Sequence, residues 1–268
     1  MSATPRKHPR AALPLPWLIL GVLGAALFLL PLLGLLARTP WARLPELLTS
    51  PIVVDALRLS MITSVAATLI GAVLGIPLAW LLARVDFPGR GILRGVVTLP
   101  LVLPPVVGGA ALLFALGRRG LVGAPLAEAT GLVLPFSTWG VILATTFVSM
   151  PFLVITVEGA LRAMDRRYED AAATLGASPW TIIRRVTLPV IAPALVSGLV
   201  LTWARAFGEF GATITFAGNL QGRTQTLPLA VFVALESDRD TAVAISLLMV
   251  AISLIVLVAL RDRWWGVR

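Results

Sequence analysis

Few residues in this 268-residue chain could do covalent or metal chemistry, and their positions narrow it further. There is no cysteine, which excludes disulfides, thiolate metal sites and cysteine nucleophiles together. The single histidine, His8, and the single lysine, Lys7, both lie in a polar, proline-containing N-terminus. A Ser-His-Asp arrangement or a histidine-rich metal site within the apolar body is therefore excluded. A phosphate loop of the Walker type needs a lysine after its glycine, and none is in place. If the protein does uphill work, ATP is hydrolysed by another chain.

What remains are charges and backbone breakers in unusual places. Arg205 and Glu209 interrupt an otherwise uncharged run from Val186 to Gly222. Four residues apart on a helix, they share a face and can pair. A charge inside such a run usually faces a bundle interior or a cavity. One reading makes the pair a structural clasp; the other makes Arg205 an attractor for an anion. The clasp is favoured, because a route that binds its cargo tightly hinders release. Gly208 and Gly211 flank Glu209 and allow close helix approach or local bending. Pro100, Pro104 and Pro105 remove backbone donors and kink or break their helix. Such a break is tolerated at membrane depth where it faces protein or a water-filled path. It reads as a packing kink or as a pathway wall. Arg118 and Arg119, between Gly117 and Gly120, are loop charges or contacts for an acidic partner or an anion.

A second constellation runs from Arg166 to Pro189. Residues Glu169 to Leu175 favour a short helix with a smooth alanine surface. Gly176 ends it in a C-cap turn, and Ser178 caps a second short helix with Pro179 at its first position. Arg184 and Arg185 fall near the end of that helix, and Leu188-Pro189 leads into the next apolar run. Two short helices joined by a glycine turn form a knob that fits a groove on a partner.

These residues must be held by elements built for lipid. The chain is 58% hydrophobic and 13% charged, with a mean hydropathy of +0.94. A soluble domain carries about 25% charged residues. Spanning a hydrocarbon core of about 30 Å takes about 20 apolar residues as a helix. Six stretches qualify, at about 15–37, 57–83, 95–117, 136–157, 190–216 and 241–260. Helices are required because lipid gives backbone amides no partners, and a barrel would show short alternating segments. The apolar stretch Leu15 to Leu36 exceeds a signal-peptide core of about 7–15 residues, so it reads as a retained helix. The organisation is an N-terminal tail (1–14), a transmembrane domain (15–261) with a polar loop (162–189), and a C-terminal tail (262–268). Gly71 and Gly75 form a small-xxx-small pair for helix packing.

The net charge of +9 does not indicate nucleic acid, because the arginines are spread between apolar runs. With the N-terminus inside, fourteen basic residues fall on the inner side and seven on the outer. That asymmetry predicts both termini to be cytoplasmic, and with them the polar loop.

The polar loop resembles the cytoplasmic EAA loop of bacterial ABC importer permeases. That pattern is E-A-A, three residues, Gly, nine residues, Ile, one residue, Leu-Pro. Here it falls on Asp170-Ala171-Ala172, Gly176, Val186 and Leu188-Pro189, with Asp for Glu and Val for Ile. The resemblance implies that this segment, with Glu169 and Ala177, forms a coupling helix docking into a cleft of the ATPase. A second resemblance lies in Leu99–Gly109, Gly117–Gly120 and Ala204–Gly218, which together look like the molybdate permeases. Sulfate and thiosulfate permeases share the Gly-Glu-Phe-Gly-Ala element at 208–212, so that element alone indicates an oxyanion importer. The likeness covers most of residues 55–260.

It implies an all-α type I ABC importer permease of about six transmembrane helices in the bacterial inner membrane. The implied partners are a second copy forming a homodimer, a cytoplasmic ABC ATPase dimer and an extracytoplasmic oxyanion-binding protein. The chain itself would be no enzyme and bind no cofactor or metal, with Mg-ATP held on the partner ATPase. Tungstate and sulfate are the rival cargoes. A secondary transporter would more often show an internal repeat or a titratable relay, and neither is found in the sequence.

Overall fold

Prolines open many of the helices of this chain, and glycines or charged residues close them. A computed structural model describes residues 14–264, with side chains to residue 259. The expected tails, 1–14 and 262–268, thus lie largely outside the described residues. The described residues form helices and connecting turns, without a strand. In order they are α1 (Leu15–Arg38), α2 (Leu44–Leu48), α3 (Pro51–Arg84), α4 (Arg90–Thr98), α5 (Pro105–Leu116), α6 (Gly123–Thr130) and α7 (Thr138–Ala163). Then follow α8 (Arg167–Thr174), α9 (Pro179–Ile182), α10 (Leu188–Phe207), α11 (Gly211–Ala217), α12 (Leu227–Ser237) and α13 (Arg239–Trp264).

Five helices are long and apolar enough to cross a membrane: α1, α3, α7, the joined α9–α10 and α13. The third expected span, 95–117, is broken, as its prolines predict. α4 passes into a single 3₁₀ turn at Leu99–Leu101, and α5 then departs at 118° to it. The prolines dictate this. Pro104 precedes Pro105 and is held extended at ψ 130°, because a residue before proline is pushed out of the helical region. α4 is amphipathic, with Leu93 and Val97 on the core and Ile92 exposed.

The fifth expected span, 190–216, also differs. Its helix starts earlier, at Pro179, and stops at Phe207. Gly208 closes it, and α11 restarts the chain at Gly211. α12 lies between the fifth and sixth expected spans. It is apolar but eleven residues long, about 17 Å at 1.5 Å per residue and short of a span.

The core gathers around α7, two-thirds of whose apolar window is buried, whereas none of α1 is. α3 and α10 flank it. Gly71 and Gly75 of α3 both face α7, at Met150 and Val154, so the small-xxx-small pair does sit at a helix interface. One apolar cluster joins Leu82, Leu153, Val157, Leu161 and Ile191 at the end where α3 finishes and the polar loop lies. A second joins Val53, Ala56, Phe207, Leu227 and Ile245 towards the opposite end. There, Asp238 opens α13: its carboxylate accepts hydrogen bonds from the Asp240 and Thr241 N–H groups (3.1 and 3.4 Å) and from the Thr241 hydroxyl (2.6 Å). Those bonds, foremost the Thr241 hydroxyl, hold the Asp238 carboxyl below the usual carboxylate range.

Candidate functional site

The polar loop is built by local signals. Asp165 Oδ1 accepts the Arg167 N–H (3.0 Å), and Glu169 and Asp170 occupy the first turn of α8, where a helix favours negative charge. The helix ends in a Schellman turn. The Gly176 N–H bonds the Ala173 carbonyl (2.9 Å) and the Ala177 N–H bonds the Ala172 carbonyl (3.1 Å). Gly176 has φ +83°, the left-handed region that any Cβ disfavours. The Ser178 hydroxyl then accepts the Thr181 N–H (3.3 Å), with Pro179 at the first position of α9.

Beyond that, structure and expectation part. α9 does not end as a separate helix; a π turn at Ile183–Thr187, carrying Arg184, Arg185 and Val186, joins it to α10. Pro189 explains the wider turn. In a tight α turn its ring would press on the Arg185 carbonyl, and the π turn gives it room. The knob is therefore one short helix, a glycine turn and the first turn of a 29-residue helix that enters the apolar body.

The two sides of this knob differ. Tyr168, Leu175 and Trp180 are 60%, 89% and 67% exposed around the glycine turn, with Asp170, Ala171 and Gly176 exposed beside them. Ala172 and Ala177 are half-buried. Large apolar side chains are thus left uncovered on an otherwise polar loop. On the other side Glu169 points inward. Its Oε1 accepts the Thr187 hydroxyl (2.8 Å), and its Oε2 lies 3.2 Å from Nη2 of Arg84, at the last residue of α3. Leu188 and Pro189 open α10 above this contact.

A second ion cluster lies at the same end. Arg94 of α4 donates to Glu158 Oε1 of α7 from Nε (2.9 Å) and Nη2 (2.6 Å), and Arg162 Nε is 3.0 Å from the same oxygen. None of Arg84, Arg94, Glu158, Arg162 and Thr187 stands out in the sequence. Glu158 and Arg162 are four apart, a spacing that offers a weak clue; the rest come from separate elements.

At the chain's two breaks, α5 lies against α11. A Cβ on Gly109 would stand 2.8 Å from the Ala212 carbonyl oxygen, and one on Gly211 2.8 Å from Pro105 Cβ. Each helix thus presents a glycine where the other comes closest. Pro100 is half-buried in the 3₁₀ turn, while Pro104, Pro105, Val102, Val106 and Val107 are exposed in the single chain. Arg205 and Glu209 do pair, at 2.5 Å, but across a helix end instead of along a continuous helix. Arg205 sits in the last turn of α10. Glu209, its side chain 2% exposed, lies in the break beside the exposed Gly208 and accepts the Ala212 N–H (2.7 Å) at the start of α11. A cation at a helix C-terminus and an anion at a helix N-terminus both complement the backbone dipoles.

Arg118 and Arg119 lie away from the polar loop, beyond the end of α5 that packs near Leu134 and the start of α7. Both are exposed, beside a recess of about 270 Å³ that also touches Leu113 and Phe114. The chain bends back tightly there: the Leu121 and Val122 N–H groups bond the Phe114 and Ala115 carbonyls (3.1 and 2.8 Å). Among the described residues, no cluster of His, Cys, Asp and Glu is arranged to hold a metal.

Residues 71–265 match the family described as binding-protein-dependent transport system inner membrane component. The chain is 49% identical over 259 residues to the molybdenum transport system permease protein ModB of Mycobacterium tuberculosis, covering 96% of this chain and 97% of that one. It is 38% identical over 235 residues to the sulfate transport system permease protein CysT of Escherichia coli, covering 86% and 84%. In fold it is similar to a bacterial ABC transporter involved in the import of the acidic polysaccharide alginate, with a TM-score of 0.74 over 94% of this chain and 96% of that one, at 20% identity.

Proposed function

The chain belongs to the family of binding-protein-dependent transport system inner membrane components, and on that premise we propose that it forms the membrane passage of an ATP-driven molybdate importer. The observation that carries the cargo is the 49% identity to a ModB protein across nearly the whole of both chains, against 38% and a shorter match for a sulfate permease. Tungstate resembles molybdate in shape and charge and is the nearest competing cargo.

In this reading the polar loop lies in the cytoplasm, as do both termini, in keeping with the arginine asymmetry. The exposed face of Tyr168, Leu175 and Trp180 around Gly176 enters a cleft of a separate ATPase, which holds Mg-ATP; this chain binds no cofactor and performs no catalysis. Two copies meet about a two-fold axis, each presenting the exposed valines of its broken segment, and the route runs between them. Arg205 and Glu209 act as a clasp that fixes α11 against α10 beside that route. On the far side, Arg118 and Arg119 meet an acidic lobe of the binding protein. ATP binding closes the ATPases and draws the two loops together, opening the route outward; hydrolysis resets it.

The test is ATPase activity of the complex in proteoliposomes, with the cognate binding protein and molybdate, tungstate or sulfate supplied in turn. Molybdate should stimulate most. Stimulation by sulfate with none by molybdate would refute the cargo and leave the family standing.

A further inference from the structure

Two groups of ion pairs at the loop end are joined by one long hydrogen bond. Glu169 of α8 meets Arg84 at the end of α3 (3.2 Å), and its other oxygen holds Thr187 of the π turn (2.8 Å). Two residues before Arg84, the Leu82 carbonyl accepts a long hydrogen bond from Arg94 Nη2 (3.4 Å). The same guanidinium is clamped onto Glu158, which Arg162 also holds. α4, which carries Arg94, runs directly into the proline break and from there into α5, packed on α11 beside Glu209.

Burial makes the first link stiff. The Arg84 side chain is 9% exposed and that of Glu169 15%. Among the described residues neither Nε nor Nη2 of Arg84 makes a hydrogen bond, so the Glu169 carboxylate, in ion-pair range of Nη2, is the group that compensates this charge. Pulling Glu169 away would strand a buried guanidinium, and breaking such a pair from one side is strongly unfavourable. A displaced α8 therefore takes the end of α3 with it. The Arg94 bond to Leu82 then passes the shift to α4.

We propose that Glu169, Arg84 and Arg94 are positioning residues for transport: two ion pairs, joined through the Leu82 carbonyl, along which displacement of the loop reaches the proline break. This rests on the loop being the ATPase-docking element.

The experiment uses the full complex of permease, ATPase and binding protein in proteoliposomes, with molybdate as cargo, and reads molybdate moved per ATP hydrolysed. Glu169→Gln and Arg94→Gln should each lower that ratio by about 2- to 30-fold, the span of effects measured along coupling networks. ATPase co-purification should be unchanged. The double variant should lose no more than the worse single one, because both cut the same chain. The exchange Arg84→Glu with Glu169→Arg should recover transport that Glu169→Arg alone loses, which also controls for misfolding. An unchanged ratio in Glu169→Gln, additive losses in the double variant, or failure of the exchange would overturn the proposal. So would loss of the ATPase from Glu169→Gln, since Glu169 would then act in docking. Failure of the docking reading itself looks different: deleting residues 170–177 would leave the ATPase bound.

Discussion

Removing Arg205 alone should cost more stability than removing Arg205 and Glu209 together. In the intact protein the guanidinium stands 2.5 Å from a carboxylate whose side chain is 2% exposed. Arg205→Ala leaves that carboxylate in apolar surroundings with the Ala212 N–H as its hydrogen-bond donor. Breaking a buried pair from one side costs about 3–5 kcal/mol. Arg205 is 28% exposed, so water screens part of the interaction and the lower end, about 3 kcal/mol, applies. Glu209→Ala loses the cap on α11, about 1 kcal/mol, and leaves an arginine long enough to reach water. The double variant loses the cap and some packing but strands no charge, about 1–2 kcal/mol in all. The assay is thermal unfolding of the detergent-solubilised protein, followed by helical circular dichroism. At about 2–4 °C per kcal/mol for a chain of 150–250 residues, Arg205→Ala should melt roughly 6–12 °C lower, and the double variant should recover part of that. Melting temperatures that fall additively, with the double variant lowest, would refute the clasp. An anion-attracting Arg205 would instead show little change in melting and a loss of molybdate transport.

Three further outcomes follow from the geometry. At Gly176 nothing lies within 4 Å of the place a Cβ would take, so the obstacle to a side chain is the backbone angle of +83°; Gly176→Asn should keep ATPase binding, while Gly176→Val should lower it, with a backbone cost of about 1–2 kcal/mol. Pull-down of the ATPase checks this. Asp238 is held below the usual carboxylate range by its bonds to Thr241, so its contribution is present at neutral pH and is lost as pH falls through its lowered value. Amide exchange at Asp240 and Thr241 should therefore stay protected at pH 7, and Asp238→Ala should remove about 1 kcal/mol of that protection. Replacing Arg118 and Arg119 together by Glu should weaken binding-protein association measured by surface plasmon resonance, with a smaller salt dependence than the parent; unchanged affinity would remove them from that interface.

Much of the fold is legible in the sequence because lipid imposes a blunt rule. A run of about 20 apolar residues without charge has to be a helix, and 58% hydrophobic residues leave room for little else. Helix ends are legible where one residue does the work: Gly176 and Ser178 terminate and start helices in the structure as their types predict. Two expected spans are broken, at the prolines and glycines that permitted it. At 95–117 the consequence of adjacent prolines is a 118° bend, an angle that depends on what the two halves pack against. At 190–216 the break after Phe207 follows Gly208 and Gly211, which propensity alone leaves compatible with a continuing helix.

The sequence by itself determined the class of molecule, the run of apolar helices and the local grammar of the polar loop, because each follows from neighbours in the chain and from the solvent. Only the tertiary structure decided which charges meet. Arg84 and Glu169 are 85 residues apart, Arg94 and Glu158 64, and no periodicity links them. It also turned Glu169 inward to hold α3 and Thr187 while its neighbour Asp170 stayed exposed. Adjacent residues on a helix point about 100° apart, so a sequence motif contains both, and only packing turns one outward and the other to the chain's own core.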